Sequence, residues 1–308
     1  MFKKVSFVLI IAAIAASCHT AQKSAGNVKP YLAPAFDATD YKSLLWEISG
    51  KDLINPSFLY GTIHLIDKKD FFLTDLALRK FAESKRLALE VDIDDPMTTV
   101  SALKGMYMKG GQTIKELVTE ADYQYLSSEL EKKGLSMSFV KRMKPILVSA
   151  MLTEKNKKDG GDADKMMSYE IEFSKMAKKQ KIDLIGLETA EFQLSMLDSI
   201  PYKEQAKMLI ESMRSTEKSG EDELAPLIRL YKKQNIDSIY QYIHTQSAGT
   251  DNFEAALLDT RNRNWIPVIS KKAKEKVTFF AVGAGHLGGK RGVIQLLRDA
   301  GYTVRPLY

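Results

Sequence analysis

Phe58-Leu59-Tyr60-Gly61-Thr62-Ile63-His64 is an apolar and aromatic run that ends in a glycine, two residues and a histidine. Val277 to Val282 is a second such run, and Gly283-Ala284-Gly285-His286 follows it. Short runs of this composition read as buried strands. A Gly-x-x-His at a strand exit lets the backbone turn sharply and leaves an imidazole in a cleft. The chain has four histidines, and the other two, His19 and His244, have no such setting. Equivalent exits in a parallel sheet come out at one edge, where ligands bind in open α/β folds. The likeness of the two segments also suggests an old duplication, although two copies are too few for a repeat protein.

Working outward, Leu44 to Ile48 reads as a strand, and with Phe58 to Ile63 it predicts a hairpin across the turn residues Lys51 to Pro56. Thr74 can cap a helix over Asp75 to Ser84. Arg86 to Asp92 is a third strand, and its nearly unbroken Leu87-Ala88-Leu89 predicts cover on both faces. Met97 to Lys181 is helical in pattern, with Thr119 and Asp122 as a capping pair, Gly134 as a stop, Pro145 starting or kinking a helix, a loop at Asp159-Gly160-Gly161-Asp162 and an amphipathic stretch from Met166 to Lys179. Ile182 to Leu187 is a fourth strand. A second helical block spans Glu191 to Lys276, broken near Ser219-Gly220 and Ser247-Ala248-Gly249. The fifth strand is followed by a helix over Gly292 to Ala300 and a last strand over Tyr302 to Arg305. The expected fold class is α/β: a central mixed, largely parallel sheet flanked by helical blocks, in two pseudo-repeated halves.

The amino terminus predicts a compartment. Met1-Phe2-Lys3-Lys4 is basic, and Val5 to Ala16 is an apolar run of about a dozen residues, too short to span a bilayer. Ala15-Ala16-Ser17-Cys18 then matches the bacterial lipoprotein pattern, with cleavage before Cys18 and lipid on its sulfur. The expected division is a signal peptide over 1–17, a lipidated cysteine and polar tether over 18–40, and a single domain over 41–308. The protein is thus expected in the bacterial cell envelope, lipid-anchored at the outer membrane. Cys18 is the only cysteine, which excludes an internal disulfide. The net charge of +6 falls to +4 without Lys3 and Lys4, and the lysines are scattered among carboxylates. No basic stripe interleaved with aromatics stands out, so a nucleic-acid partner is not expected.

Gly283-Ala284-Gly285-His286-Leu287-Gly288 formally matches the dinucleotide fingerprint G-x-G-x-x-G. It lies near the end of the chain, and the next strand, Tyr302 to Arg305, carries no acidic residue for a ribose. The glycines are better read as allowing a tight turn and close approach to the sheet. Paired neutral imidazoles suit a divalent transition metal or general-base chemistry near neutral pH. Glu90, near the end of a buried strand, is a candidate third ligand or base, because a carboxylate there is costly unless paired. Glu188 has the same setting after the fourth strand, or caps the helix that follows. Arg261 could hold an anionic group or orient a carboxylate. Asp92 reads equally well as a solvated strand-end charge, and His244 as exposed.

Taken together, Leu45-Trp46-Glu47-Ile48-Ser49-Gly50, Leu59 to His64, Leu89-Glu90-Val91-Asp92, Gly186-Leu187-Glu188-Thr189, Arg261-Asn262-Arg263-Asn264-Trp265 and Val282 to Leu287 resemble, in order and spacing, the TraB/GumN family, related to the Tiki metal-dependent proteases. The resemblance runs from about Leu44 to Pro306. It implies a fold shared with erythromycin-esterase-like and haem-binding ChaN-like proteins, with paired histidines and acidic residues lining one cleft. It also implies hydrolysis of a peptide or protein substrate with a divalent metal, manganese or cobalt. On that reading His64, His286 and Glu90 are metal ligands, and Glu90, Glu188 and Arg261 are catalytic candidates. Gly61, Gly283 and Gly285 are the motif glycines. Two alternatives use the same cleft: a metal-independent esterase-like hydrolase with a histidine base, and a non-catalytic protein that binds haem or another small ligand.

Overall fold

A computed structural model gives the fold and describes residues 41–159, 166–216, 225–246 and 255–308. The signal peptide, Cys18 and the tether therefore lie outside the described residues, as do the loop at 160–162 and the breaks near Ser219-Gly220 and Ser247 to Gly249. No helix among the described residues is long and apolar enough to cross a membrane.

The strands are β1 (Leu45–Ser49), β2 (Ser57–Thr62), β3 (Ile66–Asp67), β4 (Arg86–Val91), β5 (Met166–Met167), β6 (Asp183–Glu188), β7 (Thr278–Gly283) and β8 (Thr303–Pro306). Six of them form one sheet in the order β6-β4-β7-β2-β1-β8, and β3 pairs with β5 in a second, two-stranded sheet. β6, β4, β7 and β2 run parallel, and β1 is antiparallel to both β2 and β8. The fold is α/β with a mixed, mostly parallel sheet, and β1–β2 is the predicted hairpin. Parallel neighbours need long crossovers. The helix Asp75–Glu83, capped by Thr74 as predicted, carries the chain from β2 to β4. The helical segments between Pro96 and Gln180 carry it from β4 to β6.

Every residue of β2 and of β4 is buried, as expected of central strands covered on both faces. On one side an aromatic group forms around Tyr60, with Tyr169, Phe173 and Phe279 within 6.2 Å between ring centres. Val91, Leu126, Leu130, Leu147, Leu194 and Leu209 belong to a second apolar cluster, distinct from the one around the sheet. It gathers the helical block, and the helix Ala190–Ser195 closes it beside the end of β4.

The two Gly-x-x-His strands lie side by side, but their neighbours in the sheet differ. β2 has antiparallel β1 on its other side, whereas β7 has parallel β4. Their register is also offset: Gly61 faces Val282, and Thr62 faces Gly283. The duplication expected from local likeness is therefore not established by the architecture.

Candidate active site

Four parallel strands end at one edge, and each delivers a polar side chain there. β2 leads to His64, β4 carries Glu90 next to its last residue, β6 ends on Glu188, and β7 leads to His286. Arg261 comes from the first turn of the helix Arg261–Glu275, which packs against β6 and β7. The sequence candidates thus meet in one cluster. Glu90, Arg261 and His286 are nearly inaccessible, and the His64 side chain is 28% exposed.

Arg261 is the hub. Its Nη2 donates to Glu90 Oε2 at 2.5 Å, its Nε donates to Glu188 Oε1 at 2.8 Å, and its Nη1 lies 3.1 Å from His286 Nε2. The guanidinium stacks over Trp265, whose indole N–H donates to Glu188 Oε2 at 2.9 Å. Glu90 Oε1 accepts the Gly283 backbone N–H at 2.8 Å, and Gln193 donates to Glu90 Oε2 at 2.9 Å. These contacts provide partners for the buried charges, whose burial would otherwise be costly.

Both histidines are oriented through Nδ1. His64 Nδ1 lies 3.0 Å from Glu170 Oε1, and Glu170 also accepts from Thr62 Oγ1 and Ser168 Oγ, each at 2.8 Å. An ionised carboxylate only accepts, so His64 donates from Nδ1. His286 Nδ1 lies 2.7 Å from Asn262 Oδ1, and the amide nitrogen of Asn262 donates to the Arg291 carbonyl at 2.8 Å. That fixes the amide orientation, so His286 also donates from Nδ1 and carries its lone pair on Nε2.

Sequence reasoning missed Glu170 and Asn262. Glu170 sits in the first turn of the helix Tyr169–Gln180, where an acidic residue reads as ordinary helix chemistry. The tertiary pairing of β3 with β5, which brings that helix start beside His64, gives no such local signal. Asn262 follows Arg261 directly, and an asparagine in the first turn of a helix carries no signal of its own.

The electrostatics separate like groups. Burial opposes charge on His64, but the Glu170 carboxylate outweighs it and raises the pKa to about 9. Burial and the Arg261 charge lower that of His286 to about 3. Burial likewise opposes the charge on Glu90, yet Arg261 and the histidines hold it well below the usual carboxylate range. Glu188 is shifted up, because burial and the neighbouring Glu90 charge outweigh its bonds to Arg261. Carboxyls pushed in opposite directions within one cluster are the pattern of an acid/base site.

The glycines serve close approach rather than unusual backbone angles; none of Gly61, Gly283 and Gly285 is among the described glycines with positive φ. A Cβ at Gly61 would sit 3.1 Å from Ala284 Cβ. A Cβ at Gly283 would lie 3.3 Å from Glu90 Oε1 and 3.6 Å from both His64 Nε2 and His286 Cδ2. Three polar side chains therefore surround one point that only a glycine leaves open.

A divalent transition ion fits this set by donor chemistry: two imidazoles, each fixed by an oxygen at Nδ1, and one carboxylate oxygen. It does not fit by spacing. Among the described residues no three His, Cys, Asp or Glu side chains form a metal-binding group, and Arg261 holds the His286 lone pair. Asp92 and His244 stand apart from the cluster. Asp92 Oδ1 accepts the backbone N–H groups of Asp94 and Asp95, and His244 is exposed and stacks on Tyr240.

Fold and site together define an α/β protein with a buried histidine, carboxylate and arginine cluster at the carboxyl edge of its parallel strands. The chain belongs to the TraB/PrgY/gumN family, which matches residues 44–306. It is 24% identical to the protein named Metalloprotease TIKI1 of Danio rerio, over 86% of this chain and 63% of that protein. It is 22% identical to Metalloprotease TIKI2 of Danio rerio, over 86% and 61%, and 22% identical to Metalloprotease TIKI1 of Homo sapiens, over 86% and 62%. The chain thus spans about three-fifths of the length of these curated relatives. No solved structure matches it.

Proposed function

We propose that this protein is a metal-dependent peptidase in which His64, Glu90 and His286, whose present spacing holds no ion, would close on a divalent ion. The observation that carries the reading is that Glu90 Oε1 and His64 Nε2 meet at Gly283 with the His286 ring beside them, both imidazoles being anchored through Nδ1. The relatives named metalloproteases support the same class. When bound, such an ion supplies a Lewis acid and a water of lowered pKa. Glu170 and Asn262 keep the imidazole protons on Nδ1, so that Nε2 of each ring is the donor atom. Glu188, the carboxyl that burial makes most ready to take a proton, is the candidate base. Arg261 supplies a positive charge for an oxyanion. The substrate is a peptide or protein, and the site works in the bacterial envelope, tethered through lipid on Cys18.

The test is hydrolysis of a peptide panel by the purified chain, after chelation and after return of manganese or cobalt. Activity should vanish on chelation, return with the ion, and fall at least about a hundredfold in His64→Ala and His286→Ala. Full activity in either variant would overturn the mechanism. A second reading, a metal-independent hydrolase in which the Glu170-oriented His64 becomes the base only as pH rises toward its raised pKa, is favoured by one observation: Arg261 occupies His286 Nε2. Activity that survives chelation and is lost in His64→Ala would select it.

A further inference from the structure

Arg261 and a metal ion compete for the same electrons. With its proton on Nδ1, neutral His286 has one lone pair, at Nε2, and Arg261 Nη1 lies 3.1 Å from it. Imidazole nitrogens bind ions such as zinc at about 2 Å along that lone pair, so guanidinium and metal cannot hold Nε2 together. The same guanidinium neutralises Glu90 and Glu188 through Nη2, at 2.5 Å and 2.6 Å. It therefore fills the electrostatic role that a metal would take. A second observation lies beside it. Gln193 Oε1 is buried without a hydrogen-bond partner, on the amide whose nitrogen shares Glu90 Oε2 with Arg261. The cluster thus holds a spare acceptor next to the guanidinium.

Resting on the metal reading above, we infer that Arg261 is the resident cation of the metal-free site, and that a divalent ion binds only by displacing Nη1 from His286. Arg261 then sets the metal affinity by opposing it, in contrast to a residue that helps to hold the ion. The arrangement lowers the apparent affinity for the ion, because each binding event must break an existing bond network.

The experiment is a Mn²⁺ titration of the whole chain by calorimetry, for wild type and Arg261→Ala, with folding checked by circular dichroism. Arg261→Ala should bind Mn²⁺ at least tenfold more tightly. Guanidinium chloride at low millimolar concentration should weaken Mn²⁺ binding to Arg261→Ala and leave wild type unchanged, a competition that a merely structural arginine would not produce. Equal or weaker Mn²⁺ binding by the folded variant overturns the inference while leaving the metal reading intact. If neither form binds Mn²⁺, the metal reading fails and the inference with it. Should Arg261→Ala not fold, a crystal structure of the Mn²⁺-soaked wild type decides. An ion on His286 Nε2 with Arg261 moved away supports displacement, and an ion bound with the 3.1 Å contact kept overturns it.

Discussion

The residue that most changes how the site is understood is Glu170. It accepts three bonds, from His64, Thr62 and Ser168, and it is almost wholly buried. Its charge raises the pKa of His64 from 6.5 to about 9 despite burial, so the metal-free protein carries a protonated His64 at neutral pH. A group whose folded pKa is raised contributes stability that is complete below the unfolded pKa and is lost as pH rises through the folded one. With chelator present throughout, the melting temperature of the wild type should therefore fall between about pH 6.5 and 9. Glu170→Gln keeps the volume and an acceptor but removes the charge, so this fall should flatten. The same variant should bind a divalent ion about 10–100-fold more weakly, the usual effect of losing a partner behind a ligand. Parallel thermal melts by circular dichroism and Mn²⁺ titrations check both, and an unchanged pH dependence would sink the account of His64. His64, Glu90, Glu188 and His286 were legible in the sequence because each sits at or just after an apolar strand, where polar chemistry stands out. Glu170 was hidden because nothing local distinguishes it from any acid in the first turn of a helix.

At the scale of elements, the strands were legible nearly to the residue, since buried parallel strands have a composition that few other elements share. The pairing of β3 with β5 was not, because two-residue strands carry no period to detect. The loop after β7 shows how one stretch can hold glycines for different reasons. At Gly283 the three atoms nearest an added methyl are side-chain atoms of Glu90, His286 and His64, at 3.3 to 3.6 Å. At Gly292 it would lie 2.1 Å from the Gly288 carbonyl oxygen and 2.3 Å from that of Leu287, both backbone atoms that cannot step aside. Gly283→Ala should therefore fold with a stability loss of about 1–3 kcal/mol and weaken metal binding and hydrolysis, because the methyl crowds Glu90 Oε1 and His64 Nε2. Gly292→Ala should lose about 3 kcal/mol or more through overpacking. Urea unfolding of both variants, set beside Mn²⁺ titration of Gly283→Ala, separates the two roles. A Gly283→Ala protein that binds Mn²⁺ like wild type would remove the convergence point from the argument.

Across the whole molecule, the helix Ala190–Ser195 links the helical block to the site. Ala190 and Leu194 pack into the helical block, while Gln193 of the same helix reaches Glu90. The helix is held from below by Lys144, which is buried and donates to the Leu194 carbonyl at 2.7 Å and to Asp198 at 2.6 Å. Burial lowers the pKa of Lys144 even with Asp198 beside it. The pair is asymmetric. Asp198 also has Lys109 at 3.0 Å and the Tyr202 hydroxyl at 2.7 Å, so it keeps partners if Lys144 is lost. Among the bonds described for the Lys144 ammonium, only the one to the Leu194 carbonyl remains if Asp198 is lost. Removing one partner of a buried pair costs about 3–5 kcal/mol when the other charge is stranded; Lys144→Met leaves Asp198 its bonds to Lys109 and Tyr202, so no charge is stranded there. Asp198→Ala should thus destabilise the protein by at least about 2 kcal/mol more than Lys144→Met. Asp198→Ala should also regain stability as pH rises toward the lysine range, since a lysine with a depressed folded pKa favours the fold in its neutral form. Urea unfolding of both variants at pH 7 and pH 9.5 measures the difference and its sign. Equal losses would mean that the helix behind Glu90 is held by its apolar face alone, and that the site does not depend on the charge beneath it.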